Sequence, residues 1–181
     1  MSTSELAQAA NVLQQGGIVA YPTESCFGLG CDPANESAVL RLLRLKERDI
    51  KTGLILIAAT VEQLSPYAAT FPRKALVTWP GPYTWLLEPT PSAPAWITGN
   101  HDRIAVRVTS HPQAAALCRQ AGMAVVSTSA NRAGQPSAKS HDEVSRCFGN
   151  EIDYVLPGEI GSLERPTPIT DGVTGEIIRP G

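Results

Sequence analysis

The run Leu54-Ile55-Leu56-Ile57-Ala58 follows a break at Gly53 and contains no polar residue, so it reads as a strand buried on both faces. Ile18-Val19-Ala20-Tyr21, ended by Pro22, reads the same way, and Ala124-Val125-Val126-Ser127-Thr128-Ser129 is strand-like. Buried strands this short need helices packed over them, which confines the chain to a layered fold. Helical signals lie between the runs. Ser2 with Glu5 forms a capping box, Leu6, Ala9, Ala10 and Leu13 mark one face, and Gly16-Gly17 stops the helix. Asn35 caps a helix carrying Val39, Leu42, Leu43 and Lys46. Thr60 with Gln63 suggests another cap, Arg73 to Val77 a short helix, Pro112 a helix start, and Ser140 with Glu143 a further cap. Pro80-Gly81-Pro82 turns into a strand over Tyr83 to Leu87, and Thr90 to Pro94 is a loop. The expected class is α/β (α+β), one domain over residues 1–181.

Composition removes several function classes. Hydrophobic residues make up 43% and charged residues 18% of the chain, as in an ordinary globular domain, and the net charge of −2 gives no global attraction to nucleic acid or anionic membrane. An anion site must therefore be a local cluster of cations. No apolar run approaches the length of a membrane span, and residues 1–15 are too polar for a signal peptide; a cytoplasmic protein is expected. Cys26, Cys31, Cys118 and Cys147 form no C-x-x-C pair, and His101, His111 and His141 are scattered, so no metal site is expected.

Familiar catalytic motifs are absent. Nothing matches G-x-x-x-x-G-K-[ST]. Gly28-Leu29-Gly30 lacks a third glycine and reads as a place where backbone passes close to a neighbour. Ser129 lies outside a G-x-S-x-G elbow and no histidine is placed to partner it. What remains is a set of dispersed cations, Lys46, Arg48, Arg107 and Arg179, each ending or interrupting an apolar element, so that the fold can converge them on one cleft. Each has a plainer reading. Lys46-x-Arg48 also serves as a helix-stop signal, and Ser129-x-Asn131 as a turn. Arg107 can be an edge-strand charge and Arg179 a solvated tail residue. The alternation of Ile104, Val106 and Val108 with Ala105 and Arg107 aims Arg107 away from the apolar face. Residues 157–168, with three prolines and two glycines, have the composition of a mobile or ligand-covering loop.

Taken in order, Pro22-Thr23-Glu24, Leu45-Lys46-Glu47-Arg48, Trp79-Pro80-Gly81-Pro82-Tyr83-Thr84, Ala105-Val106-Arg107-Val108, Ser127-Thr128-Ser129-Ala130-Asn131 and the closing Ile178-Arg179-Pro180-Gly181 resemble the YrdC-like (TsaC-type) threonylcarbamoyl-adenylate synthases over nearly the whole chain. The sequence departs from the family pattern at Asp49, where proline is common, at Phe27 in place of tyrosine, and at Ile57, where longer relatives carry histidine. The extra C-terminal domain of those longer relatives is expected to be absent.

The resemblance implies a twisted mixed sheet with flanking helices and a large concave cationic cleft. It implies synthesis of threonylcarbamoyl-AMP and pyrophosphate from L-threonine, bicarbonate or carbon dioxide, and ATP with magnesium. The product would pass to a TsaD-type complex that modifies tRNA beside the anticodon, which makes tRNA itself a candidate partner. By the same resemblance Lys46 and Arg48 serve catalysis and hold the phosphates, with Ser129, Asn131, Ser137 and Arg179 completing the ATP site. Thr23, Arg107, Ser127 and Thr167 hold threonine, Arg107 through its carboxylate. Glu24 has two open roles, orienting a cation or capping the loop. The competing classes are an RNA-binding or ribosome-maturation factor, disfavoured by the charge balance, and a carbamoyl-adenylate-forming relative.

Overall fold

The computed structural model describes residues 2–181. In chain order it contains α1 (Thr3–Gln14), β1 (Val19–Pro22), β2 (Phe27–Gly30), α2 (Glu36–Leu45), β3 (Ile55–Ala58), α3 (Arg73–Leu76), β4 (Thr84–Leu87), α4 (Ala95–Thr98), β5 (Ile104–Val108), α5 (Pro112–Ala121), β6 (Val125–Ser129), α6 (His141–Phe148), β7 (Tyr154–Val155), β8 (Ile169–Asp171) and β9 (Ile177–Arg179). The strands form one sheet in the order β7-β1-β2-β6-β3-β5-β4-β8-β9. The pairs β1–β7, β3–β5 and β4–β8 are parallel and the others antiparallel, so the sheet is mixed.

Local chemistry accounts for most helix starts. The Ser2–Glu5 capping box is formed in both directions, Asn35 Oδ1 accepts from Ala38 N at 3.1 Å, and Ser140 Oγ accepts from Glu143 N at 3.2 Å. His111 caps α5 just before Pro112. The expected Thr60–Gln63 cap does not form. Gln63 Oε1 accepts from Ala59 N at 2.9 Å and Gln63 Nε2 donates to Cys118 O at 2.7 Å, because tertiary contact with α5 outbids the local cap.

Strand side chains alternate between two apolar layers. Ala20, Leu29, Leu56, Val106 and Val126 pack with α2, α4 and α6 on one face. Val19, Tyr21, Ile57 and Val125 pack with α1 and α5 on the other. Arg107 does not lie at an edge: β5 runs between β3 and β4. Arg179 is no loose tail either, since it belongs to the edge strand β9. Residues 157–168 are irregular but tied down, with Gly161 N donating to Thr23 O at 2.8 Å and Leu163 N to Glu24 O at 3.0 Å. No helix among the described residues is long and apolar enough to cross a membrane. The four cysteines are free thiols.

Gly30 explains why β2 carries glycines. A Cβ there would lie 2.3 Å from Val126 O and 2.8 Å from the Tyr21 ring, so the β2–β6 approach forbids a side chain. Gly30→Ala is expected to cost about 1–3 kcal/mol through overpacking. A urea titration should show a lower midpoint at unchanged slope; an unmoved midpoint would mean that the sheet relaxes around the methyl group.

Candidate active site

Helices α1 and α5 cover only part of their sheet face. Beyond them the same face carries Ala105 and Arg107 of β5, Ser127 and Ser129 of β6, Ile55 of β3 and the bare Gly28 of β2, which line a cleft of about 520 Å3. Thr23, Ser137, Arg48, Thr167 and Arg179 line it from loops and ends of elements. The lining holds the arginines 48, 103, 107 and 179 against the carboxylates Asp102 and Asp171.

Arg107 is 5% exposed. Its Nη2 donates to Glu24 Oε2 at 3.1 Å in a buried ion pair, and its Nη1 donates to Thr167 Oγ1 at 2.5 Å. Its Nε is buried without a partner. Glu24 Oε1 also accepts from Thr109 Oγ1 at 2.6 Å and Ser110 N at 3.2 Å. Burial pushes the Glu24 carboxyl up, but the Arg107 charge and the Thr109 hydroxyl outweigh it and leave the group below the usual carboxylate range. Thr167 Oγ1 also shares a 3.2 Å contact with Thr84 Oγ1, while Thr167 O accepts from Arg179 Nη2 at 2.9 Å.

Lys46 is the C-cap residue of α2 and is 7% exposed. Its ammonium spans to the loop after β6, donating to Ser129 O at 2.6 Å, Asn131 O at 2.5 Å and Asn131 Oδ1 at 2.7 Å. Asn131 Oδ1 also accepts from Ser129 Oγ at 2.7 Å, and Asn131 Nδ2 donates to Arg132 O and Gln135 O. The Asn131 amide is thus fully engaged, by its own loop and by Lys46. Arg48 is exposed and donates from Nη2 to Gly53 O at 2.9 Å. Burial, with the Arg48 charge beside it, brings the Lys46 ammonium down to about 8.

The structure therefore gathers the residues singled out from sequence in two tiers. Thr23, Arg48, Arg107, Ser127, Ser129, Ser137, Thr167 and Arg179 line the cleft, and Lys46 with Asn131 braces Ser129 from behind. Thr109 and Ser110, which hold Glu24, went unnoticed in the sequence, and His111, which holds Thr109, was seen there only as one of three scattered histidines. A threonine and a serine following a strand carry no pattern of their own. Cys26, His101, Asp102, Arg103 and Asp171 are further lining residues without a sequence signal.

The twisted mixed sheet with flanking helices is the fold of the solved Sua5 and YciO structures. The chain belongs to the Sua5/YciO/YrdC family, whose model, described as "Telomere recombination", matches residues 11–181. It is 54% identical over 175 residues to the threonylcarbamoyl-AMP synthase of Halorhodospira halophila, covering 94% of this chain and 92% of that protein. It is 47% identical over 181 residues to that of Coxiella burnetii, covering 98% and 97%. Among solved structures, P. abyssi Sua5 complexed with L-threonine superposes with a TM-score of 0.93 at 31% identity; the match takes in 100% of this chain but 55% of that one. E. coli YciO superposes with a TM-score of 0.86 at 26% identity, covering 99% and 90%.

The Lys46 titration yields a test. If the ammonium contributes charge to an anionic ligand, the contribution is present below about pH 8 and is lost as the pH rises through that value. Measured against pH, kcat/KM for ATP should fall about tenfold per unit on the alkaline side. A profile flat to about pH 10, near the ordinary lysine value, would show that ATP does not depend on the Lys46 charge.

Proposed function

We propose that this chain makes threonylcarbamoyl-AMP from L-threonine, bicarbonate or carbon dioxide, and ATP. The observation that carries this reading is the buried Arg107 at the cleft floor, with strand hydroxyls and further arginines around it. The names of the relatives and the threonine bound to P. abyssi Sua5 support it.

In this reaction the amine of threonine adds to the carbon of carbon dioxide and loses a proton, forming a carbamate. A carbamate oxygen then attacks the α-phosphorus, and the bond to the bridging oxygen breaks to release pyrophosphate. No covalent enzyme intermediate is needed, in keeping with a cleft built for positioning and charge stabilisation. Arg107 would hold the threonine carboxylate, with Thr23, Ser127 and Thr167 around it. Arg48 and Arg179 each spend one hydrogen bond on a protein carbonyl and keep other guanidinium donors for phosphate. Ser129 and Ser137 would bond phosphate or ribose, while Lys46 and Asn131 hold Ser129 in place and add positive charge. Magnesium would arrive on the triphosphate as part of the nucleotide. The lining offers hydroxyls and two separate aspartates rather than a carboxylate cage, which suits an ion held chiefly by phosphate and water. The adenylate would be consumed by a TsaD-type complex acting on tRNA.

Pyrophosphate release should require ATP, threonine and bicarbonate together, with no RNA present. Equal release without threonine overturns the reading and favours a carbamoyl-adenylate relative or a simple nucleotidase. Arg107→Lys should raise the KM for threonine roughly 10- to 150-fold, the loss of about 1.5–3 kcal/mol of charge-assisted bonding. The KM for ATP should move little. An unchanged threonine constant beside a weakened ATP constant would move Arg107 to the phosphate set.

A further inference from the structure

Glu24 has no part in the reaction as written, yet its side chain and its backbone both hold parts of the cleft wall. Each side-chain partner it has is a donor: Arg107 Nη2, Thr109 Oγ1 and Ser110 N. An amide at this position would turn its own N–H toward one of them, so the site demands a group that only accepts. Thr109 is fixed in turn by His111 N, which donates to Thr109 Oγ1 at 3.1 Å. The main chain at the same place carries a second load. Leu163 N donates to Glu24 O, and the neighbouring Thr23 O takes Gly161 N. Gly161 permits this approach, because a Cβ there would lie 2.7 Å from Glu24 O and 3.0 Å from Glu24 Cα. The segment seated in this way leads to Thr167, whose hydroxyl accepts from Arg107.

We infer that Glu24 is the positioning residue of the amino-acid subsite: its carboxylate fixes the guanidinium plane of Arg107, and its backbone seats the segment that presents Thr167. The inference rests on the functional reading above. Arg107 is tethered at two different nitrogens, Nη1 to Thr167 and Nη2 to Glu24, while Nε bonds nothing. Two tethers stop rotation about the long axis of the side chain, and removing one restores it. Charge and position make opposite forecasts here. Removing a carboxylate beside Arg107 would, by charge alone, tighten the binding of an anionic group. By position it would loosen that binding, because a bidentate contact tolerates little rotation of the fork.

The test compares KM values for L-threonine and MgATP, together with melting temperatures, in wild type, Glu24→Gln and Thr109→Val. Glu24→Gln should raise the threonine KM by at least about tenfold and leave the ATP KM within about twofold. Thr109→Val, which keeps shape and removes one donor, should raise the threonine KM by roughly threefold, and it decides the matter if the glutamine variant does not fold. A threonine KM that is unchanged or lower in the folded variants overturns the inference, even where the melting temperature falls, because that pattern belongs to a purely structural ion pair. Wild-type protein that releases pyrophosphate without threonine overturns the functional reading, and this inference falls with it.

Discussion

A guanidinium held at 5% exposure in an interior strand is the constraint around which the cleft is arranged. An unpaired charge at that depth would cost several kcal/mol, so a carboxylate has to reach it from elsewhere in the chain. Glu24 does so across 83 residues of sequence. A carboxylate in that place has to be desolvated as well, and Thr109 and Ser110 supply the donors that compensate it. The demand passes outward once more through Thr109 to His111, which also caps α5. One buried charge on β5 thereby fixes the β1–β2 connection, the end of β5 and the start of α5 relative to one another.

The other cations are treated differently, and the difference follows from their depth. Lys46, nearly as buried, has no carboxylate partner and spends its three protons on carbonyl-type oxygens of the Ser129–Asn131 loop. Neutral acceptors do not cancel the charge, so burial shows up as a lowered ammonium pKa. Arg48 and Arg179 lie at the rim, where solvation is cheap, and each gives a hydrogen bond to a carbonyl oxygen. None of the three belongs to an ion pair among the described residues, although the whole chain carries a net charge of −2. Positive charge is thus concentrated locally against the sign of the molecule, which is how a weakly acidic protein can still present an anion site.

What the sequence disclosed depended on how local the physics was. The orientation of Arg107 followed from the period of two in β5, since Ile104, Val106 and Val108 enter one apolar layer and Ala105 and Arg107 the cleft. The caps at Ser2, Asn35 and Ser140 were visible because each is decided within three residues. The Thr60–Gln63 pair had the same local form and failed, because the Gln63 amide is held by donating to Cys118 O on α5, 55 residues away, and by accepting from Ala59 N. Strands β8 and β9 gave no signal. Pairing holds them in place, β8 on β4 and β9 on β8, while Ile177, Ile178 and Arg179 stay exposed and show no apolar alternation. Strand β2 was masked by its glycines, whose purpose appears only when Val126 O is seen beside Gly30. Glu24 stayed ambiguous for a related reason: none of its side-chain partners lies within 80 residues of it.

On the proposed reading, the two kinds of cation in the site, braced and exposed, suit the two tasks such a reaction sets. A small amino acid has few atoms with which to pay for its own orientation, so its subsite must be organised beforehand. The Arg107 surroundings are of that kind, with the donors pinned by buried partners and carried on strands. A triphosphate brings several charges and its own metal ion, and can orient less constrained cations as it binds. Exposed arginines at the end of α2 and on edge strand β9 suit that task, because they retain rotational freedom along with unused donors. Lys46 lies between the two kinds. It is as buried as the first and as unpaired as the second, and it is tied to the Ser129–Asn131 loop, the segment through which sheet and rim meet.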